Sequence, residues 1–325
     1  MQKSYDEVIV IRRLLTLIIL LLLLTSAAPA AQAATAQSKA GAVTTTAGNL
    51  NVRAQASSAS SVVASLKKGS YLTLISKSGS WWKVEYAKGA YGYCHSDYVT
   101  IVQGTPVTVS TQSGALNVRT GAGTGYPAAA TLAKGETVLF LSHNNGWSRV
   151  LYHGTKTGYV SARYLSNYYP KVSVSVSGFK QTDSRWADKQ IGSSGKTFAQ
   201  IGCATTAIAM MESCRTGTTI YPDAMAKQLR YTSSGNVYWP EHFVPVTSSK
   251  DYLTAVYQKL KQGKPVMLGA TNSYGSQHWV VITGYNCGVG LRASDFTIQD
   301  PGTHSRTNLQ QFWNVYPNFY KYFHY

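Results

Sequence analysis

The chain has 325 residues, 30 Lys and Arg against 13 Asp and Glu, and a formal net charge of +17, yet only 13% of its residues are charged. That combination excludes a charge-rich disordered chain and favours anionic polymers as partners, and the sequence carries no nucleic-acid fold signature that would direct the charge to DNA or RNA. Four scattered cysteines without a C-x-x-C pair exclude a disulfide-stapled miniprotein and a zinc ribbon.

Residues 1–33 have the layout of a secretory signal: Lys3, Arg12 and Arg13, an apolar run from Leu14 to Leu24, then Ala31-Gln32-Ala33 as a small-residue cleavage site. The run is shorter than the ~20 residues of a spanning helix, so no stable membrane insertion is expected after cleavage. Removing this segment takes away three basic and two acidic side chains and lowers the +17 by one. An Ala/Ser/Thr-rich spacer, 34–41, follows.

From there the sequence repeats at an offset of 66. Leu50-Asn51-Val52-Arg53 returns as Leu116-Asn117-Val118-Arg119, Lys68-Gly69 as Lys134-Gly135, Trp81 as Trp147, Gly92-Tyr93 as Gly158-Tyr159 and Tyr98 as Tyr164. Two modules of one fold are expected, over 42–103 and 106–168. Within each, apolar residues alternate, as in Tyr71-Leu72-Thr73-Leu74-Ile75, between glycine-rich turns, which is the pattern of a small antiparallel β barrel. The arrangement Leu-Asn-Val-Arg, Lys-Gly, Trp, Gly-Tyr and a closing Tyr resembles the bacterial SH3 domains of exported and wall-associated proteins. The resemblance implies targeting to peptidoglycan or another anionic wall polymer. Trp81, Trp82, Tyr86, Tyr91, Tyr126, Trp147 and Tyr152 are candidates for a ligand groove, although most such aromatics belong to a barrel core.

A linker, 169–177, leads to a third unit, 178–325. Its first half reads as helical, with one helix opening at Pro222 and ending near Leu229 and another from Ser248 to Gln262. Strands are expected over Pro265–Ala270, His278–Tyr285 and Phe296–Asp300, giving an α+β domain.

In this unit Cys203 opens a small-residue helix, Cys203-Ala204-Thr205-Thr206-Ala207, and helix-start amides favour the thiolate that attacks carbonyls. Gly202 leaves the approach open. A cysteine hydrolase also needs a base, a group that orients the base and donors for the oxyanion. His278 heads one strand and Asp300 ends another. A hairpin pairing Ile282 with Phe296 and Val280 with Ile298 would set His278 beside Asp300, where Pro301 stops the ladder. His304, four residues from Asp300, is the rival. His95, His143, His153, His242 and His324 read as solvated. The Gln181 side-chain amide is a candidate donor to the oxyanion together with the Cys203 backbone N–H. Cys203 and Cys214 lie three turns apart on one helix and cannot bond to each other.

Gln-x-Asp-x-x-Trp-Ala from Gln181, Ile-Gly-Cys-Ala-Thr-Thr-Ala from Ile201, His-Trp-Val-Val-Ile-Thr-Gly-Tyr from His278 and Asp300-Pro301 together resemble the papain-like cysteine peptidases of the double-glycine leader peptidase type. The resemblance implies Cys203 as nucleophile, His278 as general base and acid, Asp300 as its orienter and Gln181 as oxyanion donor, without metal or cofactor. Transporter-linked members of that family carry membrane and ATP-binding domains that this sequence lacks, which speaks against a leader-peptide substrate. The Asp-Cys-Ser-Gly pattern of NlpC-type wall peptidases is also absent.

The expected protein is multidomain: two small all-β SH3-like barrels and an α+β papain-like cysteine peptidase domain, secreted and wall-associated. It would cleave an amide bond in peptidoglycan peptides or in a surface protein through an acyl-enzyme on Cys203. A non-catalytic protein that binds wall or host surface, and a transglutaminase-like acyl transferase, are the alternatives.

Overall fold

A computed structural model describes residues 38–325; the expected export signal lies outside them. Two compact units are present, one made of residues 38–108 with 136–141 and 150–157, the other of 109–135, 142–149 and 158–325. Taken over all the described residues, strand outweighs helix.

The first repeat forms β1 (Lys39–Val43), β2 (Leu50–Arg53), β3 (Val62–Leu66), β4 (Tyr71–Ser78), β5 (Trp81–Ala87), β6 (Ala90–His95) and β7 (Val99–Val102), in the sheet order β3-β2-β6-β5-β4-β1-β7. Alternation sends Leu72, Leu74 and Val84 inward onto Val43, Leu50, Val52, Cys94 and Val99. The expected spacer therefore ends earlier than its composition suggests. Lys39–Val43 is a strand held between β4 and β7, with Gly41 opposite both Leu72 and Ile101. Small residues suit it to that central position, where Ala40 is fully buried.

The second repeat supplies β8 (Thr105–Thr108), β9 (Leu116–Arg119), β10 (Ala128–Leu132), β11 (Thr137–Asn144), β12 (Trp147–Tyr152) and β13 (Lys156–Ser161). Each starts 66 residues after its counterpart, from β8 on β1 to β13 on β6. In the first unit Leu139, Leu141 and Leu151 share a core with Ala40, backed by Tyr71 and Val102. The Gly154 carbonyl there accepts from both the amide and the hydroxyl of Thr73, at 2.9 and 3.1 Å.

The expected linker is paired into the second unit rather than free. β14 (Tyr168–Tyr169) pairs with β19 (Gly288–Val289), and β15 (Val172–Ser173) pairs with Tyr285 and Gly284. The third domain's sheet runs β15-β18-β17-β21-β16, with β20 also on β18. Its strands are β16 (Val244–Val246), β17 (Val266–Thr271), β18 (Gln277–Tyr285), β20 (Phe296–Gln299) and β21 (Asn318–His324). The helices are α1 (Phe198–Ile201), α2 (Cys203–Thr216), α3 (Pro222–Ala226), α4 (Tyr252–Lys261) and α5 (Leu309–Trp313).

Period-two alternation divides β18 between two cores. Trp279 and Val281 join Met267 and Phe323 against Ile208, Met210 and Met211 of α2. Val280 and Ile282 join Val266 and Leu268 against Val256 and Leu260 of α4. Each fully buried side chain of this size contributes about 1.5–3 kcal/mol, so α2 is anchored along its length and its first residue is fixed relative to β18. Two helices are shorter than expected. α3 stops at Ala226, and α4 starts only after Asp251, whose backbone is left-handed at φ 50°.

The β18–β20 register differs from the expected hairpin. Ile282 pairs with Ile298 and Tyr285 with Phe296, with an irregularity between Ile282 and Gly284. Thr283 is the extra residue, and its hydroxyl lies 3.2 Å from that of Thr297. His278 and Asp300 consequently stand diagonally rather than directly opposite. They remain on one face because the shift near them is an even number of residues.

Candidate active site

The nucleophile side is built by two consecutive helical stretches. A capping box of Thr197 and Gln200 starts α1, with Gln200 Oε1 accepting from the Thr197 amide at 3.0 Å. The backbone then passes through Gly202 in a helical conformation (φ −76°, ψ −1°) directly into α2. Cys203 therefore does not stand at an isolated helix start. Gly202 serves packing rather than access, since a Cβ there would lie 2.5 Å from the Phe198 carbonyl oxygen. Cys203 itself is half-buried, and all four thiols are free. Cys94 is fully buried, and burial pushes its thiol pKa up to about 12.

The His278 ring is buried beside Asp300, with Nε2 2.7 Å from Asp300 Oδ1. Its other nitrogen is left for the Cys203 side chain, which also hydrogen-bonds the ring. Burial alone would lower the imidazole pKa, but hydrogen bonds to Asp300 and Cys203 overcome it and raise the value to about 9. Tyr316 stacks on the ring at 5.1 Å between centroids. The ring is thus an imidazolium at neutral pH, between the Asp300 carboxylate and the Cys203 side chain.

Asp300 is 1% exposed. Burial disfavours its charge, yet His278 and then Arg306 hold its pKa below the ordinary carboxylate value. Its two oxygens have separate partners. Oδ1 takes His278 and the Gly302 amide, the latter at 2.7 Å, while Oδ2 accepts from Arg306 Nε at 2.6 Å. The Arg306 guanidinium also lies over the Tyr316 ring, 5.4 Å from its centroid. His304, the rival in the sequence, is exposed; from that segment it is Arg306 that reaches Asp300.

Gln181 is tied to both halves of the site. Its backbone amide donates to the Pro301 carbonyl at 2.9 Å. Its side-chain Nε2 donates to Ala199 O, also at 2.9 Å, one turn before Cys203. One N–H of that amide is consequently occupied and one is left to donate. The rest of the motif sets this position: the Trp186 indole donates to Lys180 O at 2.7 Å, and Asp183 accepts from the Arg185 amide and side chain. Lys180 Nζ in turn donates to the Asp300 carbonyl at 2.6 Å.

Sequence reasoning brought Cys203, His278, Asp300 and Gln181 together but missed Arg306, Tyr316, Gly302 and Lys180. One signal for Arg306 was available, since a buried carboxylate facing a histidine calls for further donors. Three histidines read as solvated are paired with carboxylates: His153 with Glu136 and His242 with Glu212, each at 2.7 Å, and His95 with Asp97 at 3.5 Å. Among the described residues, no three His, Cys, Asp or Glu side chains gather to hold a metal. No described helix is long and apolar enough to cross a membrane.

Of the aromatics expected at a groove, Trp82 and Tyr152 are core residues, 8% and 5% exposed. Tyr86 packs against the first repeat's core. Trp81 lines an open groove of the first repeat and Trp147 one of the second.

Residues 48–100 and 114–166 match the bacterial SH3 domain, and residues 174–324 match the Peptidase_C39 like family. The chain carries two bacterial SH3 domains followed by a Peptidase_C39-like domain. The latter match begins at Val174, within the segment hydrogen-bonded to the domain's sheet through the Thr283 carbonyl. A putative N-acetylmuramoyl-L-alanine amidase, YrvJ, of Bacillus subtilis (strain 168) is 26% identical over 125 residues, covering 36% of this chain and 24% of the relative. The chain thus matches about a quarter of that protein's length. Among solved structures, NlpC2 from Trichomonas vaginalis is 15% identical, covering 89% of this chain and 97% of its own, at a TM-score of 0.21. An NlpC/P60 family protein from Bacillus cereus ATCC 10987 is 16% identical, covering 73% and 76%, at 0.16. Likenesses at that level bear no argument about the Peptidase_C39-like domain, whose site rests on its own geometry.

Proposed function

We propose that the protein is a secreted, wall-targeted cysteine peptidase or amidase, with an α+β papain-like catalytic domain over 178–325 and SH3 modules over 42–103 and 106–168. The buried Asp300–His278 pair facing Cys203 carries this reading. In the proposed reaction the Cys203 thiolate attacks the scissile carbonyl, and the Gln181 side-chain N–H and the Cys203 amide donate to the oxyanion. The His278 imidazolium gives its proton to the leaving amine as the C–N bond breaks, leaving an acyl-enzyme. His278 then takes a proton from water, which attacks the thioester and frees Cys203. Asp300 keeps the ring oriented and compensates its positive charge throughout.

The bacterial SH3 domains, and a relative whose name is that of a muramoyl-alanine amidase, support wall peptides as the substrate. The test is to incubate the protein, and separately its Cys203→Ala variant, with purified peptidoglycan and with denatured protein, reading released fragments and new termini by mass spectrometry. Release from wall by wild type alone is expected. Wild type that cuts neither substrate, with folding intact, removes the enzyme reading.

A further inference from the structure

Two grooves recur at the 66-residue offset. The first, about 510 Å³, has eleven lining residues, among them Asn51, Arg53, Trp81 and Tyr98. The second, about 750 Å³, includes the 66-shifted counterpart of every one of those eleven and adds Ser110 and Arg163. Two copies of one fold would have similar hollows whether or not they bind anything. The side chains that stay the same are more telling.

Six of the eleven positions keep their residue. Three of the six have a structural role, the arginine among them. Thr45 and Thr111 close equivalent turns on Gly48 O and Gly114 O, at 2.9 and 2.8 Å, and Leu50 and Leu116 are buried. Asn51 and Asn117 are exposed, as are Tyr98 and Tyr164, so core packing does not account for them. Arg53 Nη1 donates to Ser60 O and Arg119 Nη1 to Tyr126 O, both at 2.6 Å, the same brace displaced by 66. The brace uses one of a guanidinium's five N–H donors and holds the planar fork in a groove that an indole also lines. A fixed fork next to aromatic faces matches a carboxylate borne on a body that can lie against the rings.

We infer that each groove is a carboxylate-binding subsite, taking a free carboxylate of a wall peptide on Arg53 or Arg119 with the flanking residue against Trp81 or Trp147. This rests on the reading of the repeats as wall-binding modules. The grooves are unequal. Position 97 is an aspartate 3.5 Å from His95, whereas its counterpart, Arg163, adds a second guanidinium beside Tyr164. The second groove is the stronger of the two.

The experiment uses the full chain carrying Cys203→Ala, so that wall is not digested. The probes are peptidoglycan stripped of phosphate polymers with hydrofluoric acid, the same material with its carboxylates amidated, and the released phosphate polymer alone. Stripped wall should bind, and amidation should weaken binding by about tenfold or more. Arg119→Gln should cost more than Arg53→Gln, and the double variant should lose more than either, as two linked sites require. The double variant should also respond little to amidation. Asn51→Asp with Asn117→Asp provides a check that spares the fold: both positions are exposed, and the added charge should repel the ligand.

Binding that ignores amidation, or that follows only the phosphate polymer, overturns the inference. Aspartate variants that bind as tightly as the parent overturn it too. Fragment release by wild type without measurable wall binding sinks the grooves and leaves the hydrolase reading standing; binding as described without hydrolysis does the reverse.

Discussion

Arg306→Gln tests the least obvious part of the site. It removes the guanidinium from Asp300 and leaves a side chain of comparable polarity. The Asp300 side chain is fully buried and that of Arg306 is 19% exposed, so solvent does little to screen the pair. A hydrogen bond between charged partners is worth about 1.5–3 kcal/mol, and breaking a buried pair up to about 5 when the survivor is left alone. Asp300 keeps His278 and the Gly302 amide, which places the loss near the lower end, about 2 kcal/mol. For a domain of this size that lowers Tm by about 4–8 °C. The catalytic effect has a sign of its own. Arg306 helps hold the Asp300 pKa down, so without it the carboxylate takes up a proton at higher pH and His278 loses its anion there. The rate of iodoacetamide alkylation at Cys203, followed against pH, reads this without any substrate. Its acid limb should move upward, fragment release should show a roughly tenfold lower kcat at similar KM, and Arg306→Lys should restore only part of both. Full turnover with an unmoved acid limb in Arg306→Gln would refute the reasoning, whatever happened to Tm.

Limiting iodoacetamide near pH 7 should modify Cys203 well before Cys94, whose thiol stays protonated up to about pH 12; peptide mapping that finds equal labelling counts against a catalytic Cys203. The His278 pKa, raised from 6.5 to about 9, stabilises the fold fully below pH 6.5, and that contribution is lost as pH rises through about 9. Turnover should fall over the same alkaline range. Asp300→Asn should bring that limb down toward neutrality and cut kcat by about 100-fold or more, and an unshifted limb would separate Asp300 from the base. Gly302→Ala places a Cβ 3.0 Å from His278 Cε1 and 3.3 Å from Asp300 Oδ1, displacing the ring by a few tenths of an ångström. A kcat loss of about 10–100-fold with little change in far-UV dichroism is expected, and wild-type kcat would show that the ring has room to spare.

What could be read in the sequence was whatever is recorded locally or periodically. The 66-residue offset is visible by eye, and the strand starts obey it. Alternation in Trp279-Val280-Val281-Ile282 is equally visible, and in the structure it divides the strand between two cores. Spacing alone could not give the bulge at Thr283, because an inserted residue announces itself only through its partner across the sheet, here Thr297. His278 and Asp300 could still be paired despite the wrong register, since an even shift preserves the face. Arg306 stayed hidden for a different reason: it reaches Asp300 from an irregular loop, where neither period nor turn chemistry says which way a side chain points. Composition misled at both edges of the repeats. Lys39–Val43 resembles the small-residue spacer before it, and the Val/Ser alternation near residue 172 resembles a tether, yet each is held by backbone hydrogen bonds to a sheet.

The three leucines of the second repeat that meet Ala40 have consequences for the duplication itself. Leu139 and Leu151 stand where the first copy has Thr73 and Glu85, so the copies have become a lock and its key and are no longer interchangeable beads. An open array could grow by adding further copies. This pair is finished: another first-type copy placed after it would present a threonine and a glutamate where leucines are needed. Reversing the order of the two copies, or expressing the first alone, would strip Ala40 and Tyr71 of their cover and leave an oily seam in water.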